Sequence, residues 1–481
     1  MSNYKTVFFT LGVLLIVLGF SMLVPITVQL IYNEFNSTFI ISSIITITFG
    51  ALFFLANIDH NRSLSTKQAF LLTALSWIGV AIFGSIPFIF SDLNLSLTDA
   101  FFESMSGITT TGATIINNLS DTPKAILSWR AILQWLGGIG IIVMAITLMP
   151  IMNIGGMQLL KISSGDSSEK ILPKSKQISL RLVLIYSSLT LLCAFFYKIC
   201  GMNFFDSLTH SMTTIATGGF SNYNQSIGFF ESAKIEYVSI TFIILGSIPF
   251  LAYIKFLSGN KKIIFKDEQI KLFLKLLFFS ILILFIYLAI VNKSIFEIQL
   301  RAIIFNVVSI LTGTGYVTKE FDQWGNFPLI FFLLLMFIGG CAGSTTCGIK
   351  VFRVHMLYFF LKNQLLKIIY PRAIINLKYN NDIVEDKSIA SIISFIYLYI
   401  IIFFVMSALL TLTGLNFITA VSGAASSISN VGPGLGNEIG PNSNYANLPA
   451  ASKWILSTGM ILGRLEIFAI LVIFLPSFWR N

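Results

Sequence analysis

Charge is what this 481-residue chain has least of: Asp, Glu, Lys and Arg together make up 11% of it, and histidine occurs three times. A soluble domain carries about 25% charged residues, so the composition excludes a water-facing surface over most of the molecule. Catalytic vocabulary is equally thin. His60, His210 and His355 are scattered, and neither His-Glu-x-x-His nor Gly-x-Ser-x-Gly occurs, so no enzymatic role is expected. Cys193, Cys200, Cys341 and Cys347 lie in or beside apolar runs, which gives neither a secreted disulfide framework nor a Cys/His zinc spacing. The net charge of +10 falls in short loops between apolar runs, which is a pattern of membrane topology rather than of nucleic-acid binding.

What the chain has instead is apolar sequence, 55% of it, in runs long enough to span roughly 30 Å of hydrocarbon. The first run, residues 7–31, is too long for a signal-peptide core and lacks a small-residue cleavage pattern. It reads as a retained transmembrane helix, and residues 39–58 supply a second. The fold class expected is therefore an all-α polytopic membrane protein.

Against this background four short stretches stand out: Thr110-Thr111-Gly112-Ala113-Thr114, Ala216-Thr217-Gly218-Gly219-Phe220, Gly313-Thr314-Gly315-Tyr316-Val317 and Asn430-Val431-Gly432-Pro433-Gly434. With Gly112, Gly218, Gly315 and Gly432 taken as equivalent, they recur about every hundred residues, the mark of an internal repeat. Each follows the same grammar of a spanning helix, a shorter amphipathic helix, a Gly/Thr turn and a second spanning helix. The expected organisation is a two-helix preface at 1–67 and four repeats at 68–160, 161–262, 263–378 and 379–481. That makes ten spans and four re-entrant helices around one pore. Thr98 or Asp99, Asp206 and Asn416 stand near the starts of three short helices, where polar side chains cap free amides.

Non-helical backbone at membrane depth must line water or be buried in protein, and a re-entrant helix aims its negative carbonyl end at the membrane centre. Potassium channels dehydrate their ion with carbonyls of Thr-Val-Gly-Tyr-Gly loops, and these stretches have that character. The candidate K+ filter is Thr110, Thr111 and Gly112; Ala216, Thr217 and Gly218; Gly313, Thr314 and Gly315; and Asn430, Val431 and Gly432. Only the fourth loop has a second glycine two places on, Gly434, so a single carbonyl layer is expected to do most of the selecting.

Basic residues concentrate on one side, in the loops 59–67, 161–181, 255–275 and 350–387; the other side holds only Lys124, Arg130, Lys198, Lys234, Lys293, Arg301, Lys319 and Lys453. By the positive-inside rule, both termini are cytoplasmic and the four loops face outside. Acids including Asp99, Glu103, Asp206 and Glu236 fall on the loop side, where an acidic mouth would concentrate cations.

The repeat plan, with Ser106-Gly107-Ile108-Thr109-Thr110-Thr111-Gly112-Ala113-Thr114 and the segment 339–350, resembles the Trk/Ktr/HKT superfamily of potassium transporters over nearly the whole chain. The preface makes it most similar to the bacterial TrkH/TrkG type. The resemblance implies K+ uptake at the inner, cytoplasmic membrane. It also implies that the four glycines form the filter ring, that two chains form a homodimer with a pore in each, and that a cytoplasmic nucleotide-binding, TrkA-like ring docks beneath. The three larger basic loops are candidate docking sites.

After Ile338 the run Gly339-Gly340-Cys341-Ala342-Gly343-Ser344-Thr345-Thr346-Cys347-Gly348 interrupts a span. In the family the equivalent segment is an intramembrane gating loop steadied by a basic residue of the last helix, a place that Arg464 matches. Cys347 stands where glycine is more usual. The echo of a phosphate loop in residues 343–350 fails, because the lysine is one place late and the segment follows an apolar helix rather than a strand. Arg464 is expected against the carbonyls of this loop; the alternatives are pairing with Glu466 or snorkelling. A secondary transporter coupled to H+ or Na+ is the rival reading, since internal repeats with broken helices are also its signature. Glu466 is the one intramembrane acid expected.

Overall fold

The computed structural model describes residues 4–58, 64–147, 171–259, 262–292, 297–372, 378–379, 382–384 and 386–480. The expected boundary at 160/161, much of the loop 59–67 and part of the basic segment 161–181 lie outside them. The described chain is helical except for one antiparallel pair, Lys378–Tyr379 with Asp382–Ile383.

Among the described residues, seven helices are long and apolar enough to cross a membrane: Lys5–Tyr32, Thr38–Ala56, Thr66–Ile89, Lys124–Met144, Gln177–Ile199, Glu268–Val291 and Lys387–Leu412. Two further spans are bent pairs, Ala233–Gly246 with Phe250–Leu257 at 87° and Ala450–Arg464 with Ile467–Phe474 at 110°. Counting each bent pair as one span gives nine among the described residues, and the tenth expected span is the one interrupted after Ile338. Each of the two bent spans, expected as one of the straight spanning helices of its repeat, is broken by a sharp bend. At the first break Pro249 has no amide to continue the helix, and Ser247 Oγ turns back to Ile243 O. At the second, Glu466 adopts φ +61°. The helix Asn326–Phe337 has only 12 residues before the chain leaves helical geometry.

Four shorter helices, Leu97–Ile108, Phe204–Ile215, Glu297–Leu311 and Phe417–Ser429, lie between spans. A 12-residue helix is about 18 Å long and cannot cross the hydrocarbon. Three have side-chain N-caps: Ser96 Oγ accepts from Asp99 N (3.1 Å), Asn203 from Asp206 N (2.7 Å) and Asn416 from Thr419 N (2.9 Å). The first cap is therefore Ser96 rather than Thr98 or Asp99. In the preface, Gly12 and Gly50 bring the helices Lys5–Ser21 and Thr38–Ala56 into backbone contact, a Cβ on Gly12 falling 2.8 Å from Gly50 O. Small residues allow this close packing where lipid gives helices no hydrophobic reason to associate.

Candidate functional site

Every short helix ends in the same closure. A left-handed residue follows it, Thr110 (φ 53°), Thr217 (48°), Gly313 (72°) or Asn430 (52°). The next amide reaches back five residues: Thr111 N to Ser106 O (2.9 Å), Gly218 N to Thr213 O (2.9 Å), Thr314 N to Ser309 O (2.8 Å) and Val431 N to Ser426 O (2.9 Å). Such bonds satisfy carbonyls that a helix end leaves free. One residue further on stands a glycine at positive φ, Gly112 (87°), Gly219 (77°), Gly315 (80°) or Gly432 (108°).

This shared register corrects one equivalence. Gly218 occupies the place of Thr111, Thr314 and Val431, and Gly219 is the counterpart of Gly112. The second loop is thus 217–219, with Ala216 capping the helix before it.

The four glycines then interlock in cyclic order. A Cβ on Gly112 would strike Gly218 O, one on Gly219 would strike Thr314 O, one on Gly315 would strike Val431 O, and one on Gly432 would stand 2.7 Å from Thr111 O. The sequence 1→2→3→4→1 closes on itself. Gly112, Gly219, Gly315 and Gly432 also line a single cavity, with Thr114, Ser221, Asn224 and Ser443 in its wall. Among the described residues, no protein group donates a hydrogen bond to the carbonyls of Thr111, Thr314 or Val431. Carbonyl oxygens in a ring replace the hydration shell of a monovalent cation. The threonine hydroxyls, in contrast, bond sideways: Thr111 Oγ1 to Thr109 Oγ1 (2.8 Å), Thr314 Oγ1 to Thr312 Oγ1 (2.8 Å) and Thr217 Oγ1 to Thr345 Oγ1 (3.1 Å).

One buried ion pair holds the ring from behind, and two partly buried ones join neighbouring helices. Arg130 Nε donates to Glu103 Oε1 (2.7 Å) and its Nη1 to Ser221 O (2.8 Å), while Glu103 also accepts from Ile115 N (2.9 Å). Arg301 pairs with Glu236 (2.8 Å), and Lys453 with Asp99 (2.5 Å). These contacts change the picture of an acidic mouth, since Asp99, Glu103 and Glu236 are each neutralised by a basic partner. They were invisible in the sequence because each pair joins different helices. Removing one member of a buried pair strands the other. Glu103→Ala is therefore expected to cost about 3–5 kcal/mol, read as a fall in the thermal midpoint of the detergent-solubilised protein, with Glu103→Gln losing less.

The interrupted segment 339–348 is buried and closed at its neck. Gly339 N donates to Ile349 O and Ile349 N to Phe337 O, both 2.9 Å, and a Cβ on Gly339 would strike Cys347 O. The break in the helix pair 233–257 receives it: Cys341 N donates to Ser247 O (3.1 Å), Phe250 N to Gly343 O (2.9 Å), and Thr345 Oγ1 to Gly246 O (3.0 Å). Gln269 Oε1 accepts from Ala342 N (2.9 Å), and Lys350 donates to Thr346 O.

Arg464 reaches this loop from the last span. Its Nη1 donates to Thr345 O (3.1 Å) and Cys347 Sγ (2.6 Å), and its Nη2 to Gly137 O (2.9 Å). Glu466 lies past the break and pairs with Arg353 (2.5 Å) rather than with Arg464. Arg464 is 2% exposed, which leaves no room for snorkelling. Glu466 is also not alone as a buried acid, because Glu103, Asp206 and Glu236 are buried too. Gln134 was missed by sequence reasoning. It touches the second loop, and a polar residue in the apolar run 124–147 was the available signal.

Comparison with known proteins places this geometry. A family model described as TrkH, cation transport protein, matches residues 36–480. The chain is 39% identical over 473 residues to the Trk system potassium uptake protein TrkI of Halomonas elongata, covering 98% of this chain and 96% of that protein. It is 34% identical over 489 residues to the Trk system potassium uptake protein TrkH of Escherichia coli K12, covering 100% of both. The crystal structure of the potassium transporter TrkH from Vibrio parahaemolyticus superposes with a TM-score of 0.91 at 33% identity, over 99% of this chain and 100% of that one.

Proposed function

The chain belongs to the TrkH family of cation transport proteins, and from that premise we propose that it takes up potassium through a gated, channel-like pore. The observation that carries this reading is the closed ring of Gly112, Gly219, Gly315 and Gly432 against the carbonyls of Gly218, Thr314, Val431 and Thr111. Four repeats each contribute one loop, behind a two-helix preface. The segment 339–348 beneath the ring is the gate, and Arg464 is its latch. The pore lies in the inner membrane with both termini cytoplasmic and the loops outside. Two chains form a homodimer, and a nucleotide-binding TrkA-like partner sets the gate from the cytoplasm.

Symport coupled to H+ needs an ionisable group that can load and unload within the path. Among the described residues the buried acids are all engaged: Glu103 with Arg130, Glu236 with Arg301, Glu466 with Arg353, and Asp206 with Asn222 Nδ2 (2.7 Å) and Tyr223 OH (2.8 Å). That engagement speaks against H+ coupling. The test is the reversal potential of purified protein in planar bilayers under opposed K+ and Na+ gradients, with and without a pH gradient. A value near the K+ equilibrium potential and indifferent to pH is expected. A value that follows the H+ or Na+ gradient in fixed ratio overturns the channel-like reading in favour of symport.

A further inference from the structure

Gln134 is completely buried, one helical turn beyond Arg130 on the span Lys124–Thr147. Its Nε2 donates to Gly218 O (2.6 Å), and its Oε1 accepts from Phe220 N (3.1 Å). One side-chain amide thus brackets the second loop from 218 to 220, with Gly219 between its two contacts. The orientation of the amide is unambiguous, because a carbonyl needs a donor and a backbone N–H needs an acceptor. Arg130 extends the bracket by donating to Ser221 O and lying 4.0 Å over the Phe220 ring.

The consequence is an unequal ring. Three of its four carbonyls, Thr111, Thr314 and Val431, accept no protein hydrogen bond among the described residues, whereas Gly218 O is held by Gln134. A carbonyl that already accepts a hydrogen bond offers a weaker field to an ion, and one tied to a rigid helix cannot follow a smaller ion inward. Both effects act on discrimination between monovalent cations, which depends on the field and flexibility of the carbonyls.

We propose that Gln134 is a selectivity-determining positioning residue, setting the field and the rigidity of the Gly218 quadrant without touching the ion. The inference rests on the filter reading given above.

The test compares K+/Na+ permeability ratios, from reversal potentials of reconstituted protein, for wild type, Gln134→Met, Gln134→Glu and Gly315→Ala. Gln134→Met keeps the length and removes both hydrogen bonds. The ratio is expected to fall roughly five- to tenfold, the scale of a lost buried hydrogen bond, with K+ flux retained. Gln134→Glu keeps an acceptor for Phe220 N and holds the loop's far end even where Gln134→Met folds poorly, but it turns an acceptor-only, negatively charged group toward Gly218 O; a ratio at or below that of Gln134→Met is expected. Wild-type ratios in both Gln134 variants, together with a reduced ratio in Gly315→Ala, overturn the role of Gln134 and leave the filter standing. Wild-type ratios in all three overturn the filter itself.

Discussion

Gly315→Ala is expected to lower the K+/Na+ permeability ratio by about tenfold or more while leaving a folded, membrane-inserted protein. Two costs meet at this position. The residue sits at φ +80°, where an L side chain is disfavoured by roughly 1–2 kcal/mol. An added Cβ would also strike Val431 O, with Pro433 Cδ only 3.0 Å away. Neither neighbour is the free end of a flexible side chain, so the strain must be relieved by moving backbone, and the backbone at hand is the carbonyl ring. Because about 1.4 kcal/mol is tenfold in an equilibrium, strain of this size suffices to change selection without threatening a fold held by many spans.

The effect should be graded around the ring. Gly432→Ala meets Thr111 O at 2.7 Å, a looser approach than at the other three glycines, and should shift the ratio less than Gly315→Ala. Reversal potentials under opposed K+ and Na+ gradients measure both. Unchanged selectivity in both variants would remove these glycines from the filter.

The plan of this fold was legible because lipid makes it so. Apolar runs of spanning length and the asymmetry of basic loops follow from the cost of burying charge and backbone in hydrocarbon, and both are local properties of sequence. Local signals also located the four Gly-containing turns. Register within a turn is another matter. Gly218 and Gly219 are adjacent glycines, and the choice between them depends on Thr217 adopting φ 48°, a conformation its composition does not announce. The breaks at Gly246 and Arg464 were hidden for a similar reason. An apolar run with a bend has the same hydropathy as one without, and Glu466 reads as a helical residue until its φ of +61° is seen. The pairs Arg130–Glu103, Arg301–Glu236 and Arg353–Glu466 join different helices and arise only from tertiary packing. Gln134 belongs with them, since its two partners lie 84 and 86 residues away.

Arg464→Ala is expected to raise K+ flux and to weaken its dependence on the proposed cytoplasmic regulator. Among the described residues the guanidinium supplies the hydrogen bonds from the last span to the segment 339–348, and through Gly137 O it ties that segment to the span Lys124–Thr147 as well. Each hydrogen bond from a charged donor contributes about 1.5–3 kcal/mol. Losing the bonds to Thr345 O and Cys347 Sγ is therefore expected to bias the proposed two-state gate toward open by about tenfold or more. The loop does not fall away, because Ser247, Phe250 and Gln269 still hold its opposite side. This leaves it attached on one flank and free on the other, the condition for a hinged obstruction to swing. Arg464→Lys should lie between wild type and alanine, since an ammonium keeps the charge but cannot fork to Thr345 and Gly137 together. Rubidium tracer flux into proteoliposomes, with and without the regulatory partner, reads all three proteins. Flux at the wild-type level in Arg464→Ala, with regulation intact, would mean that the guanidinium only satisfies buried carbonyls and that the gate is held elsewhere.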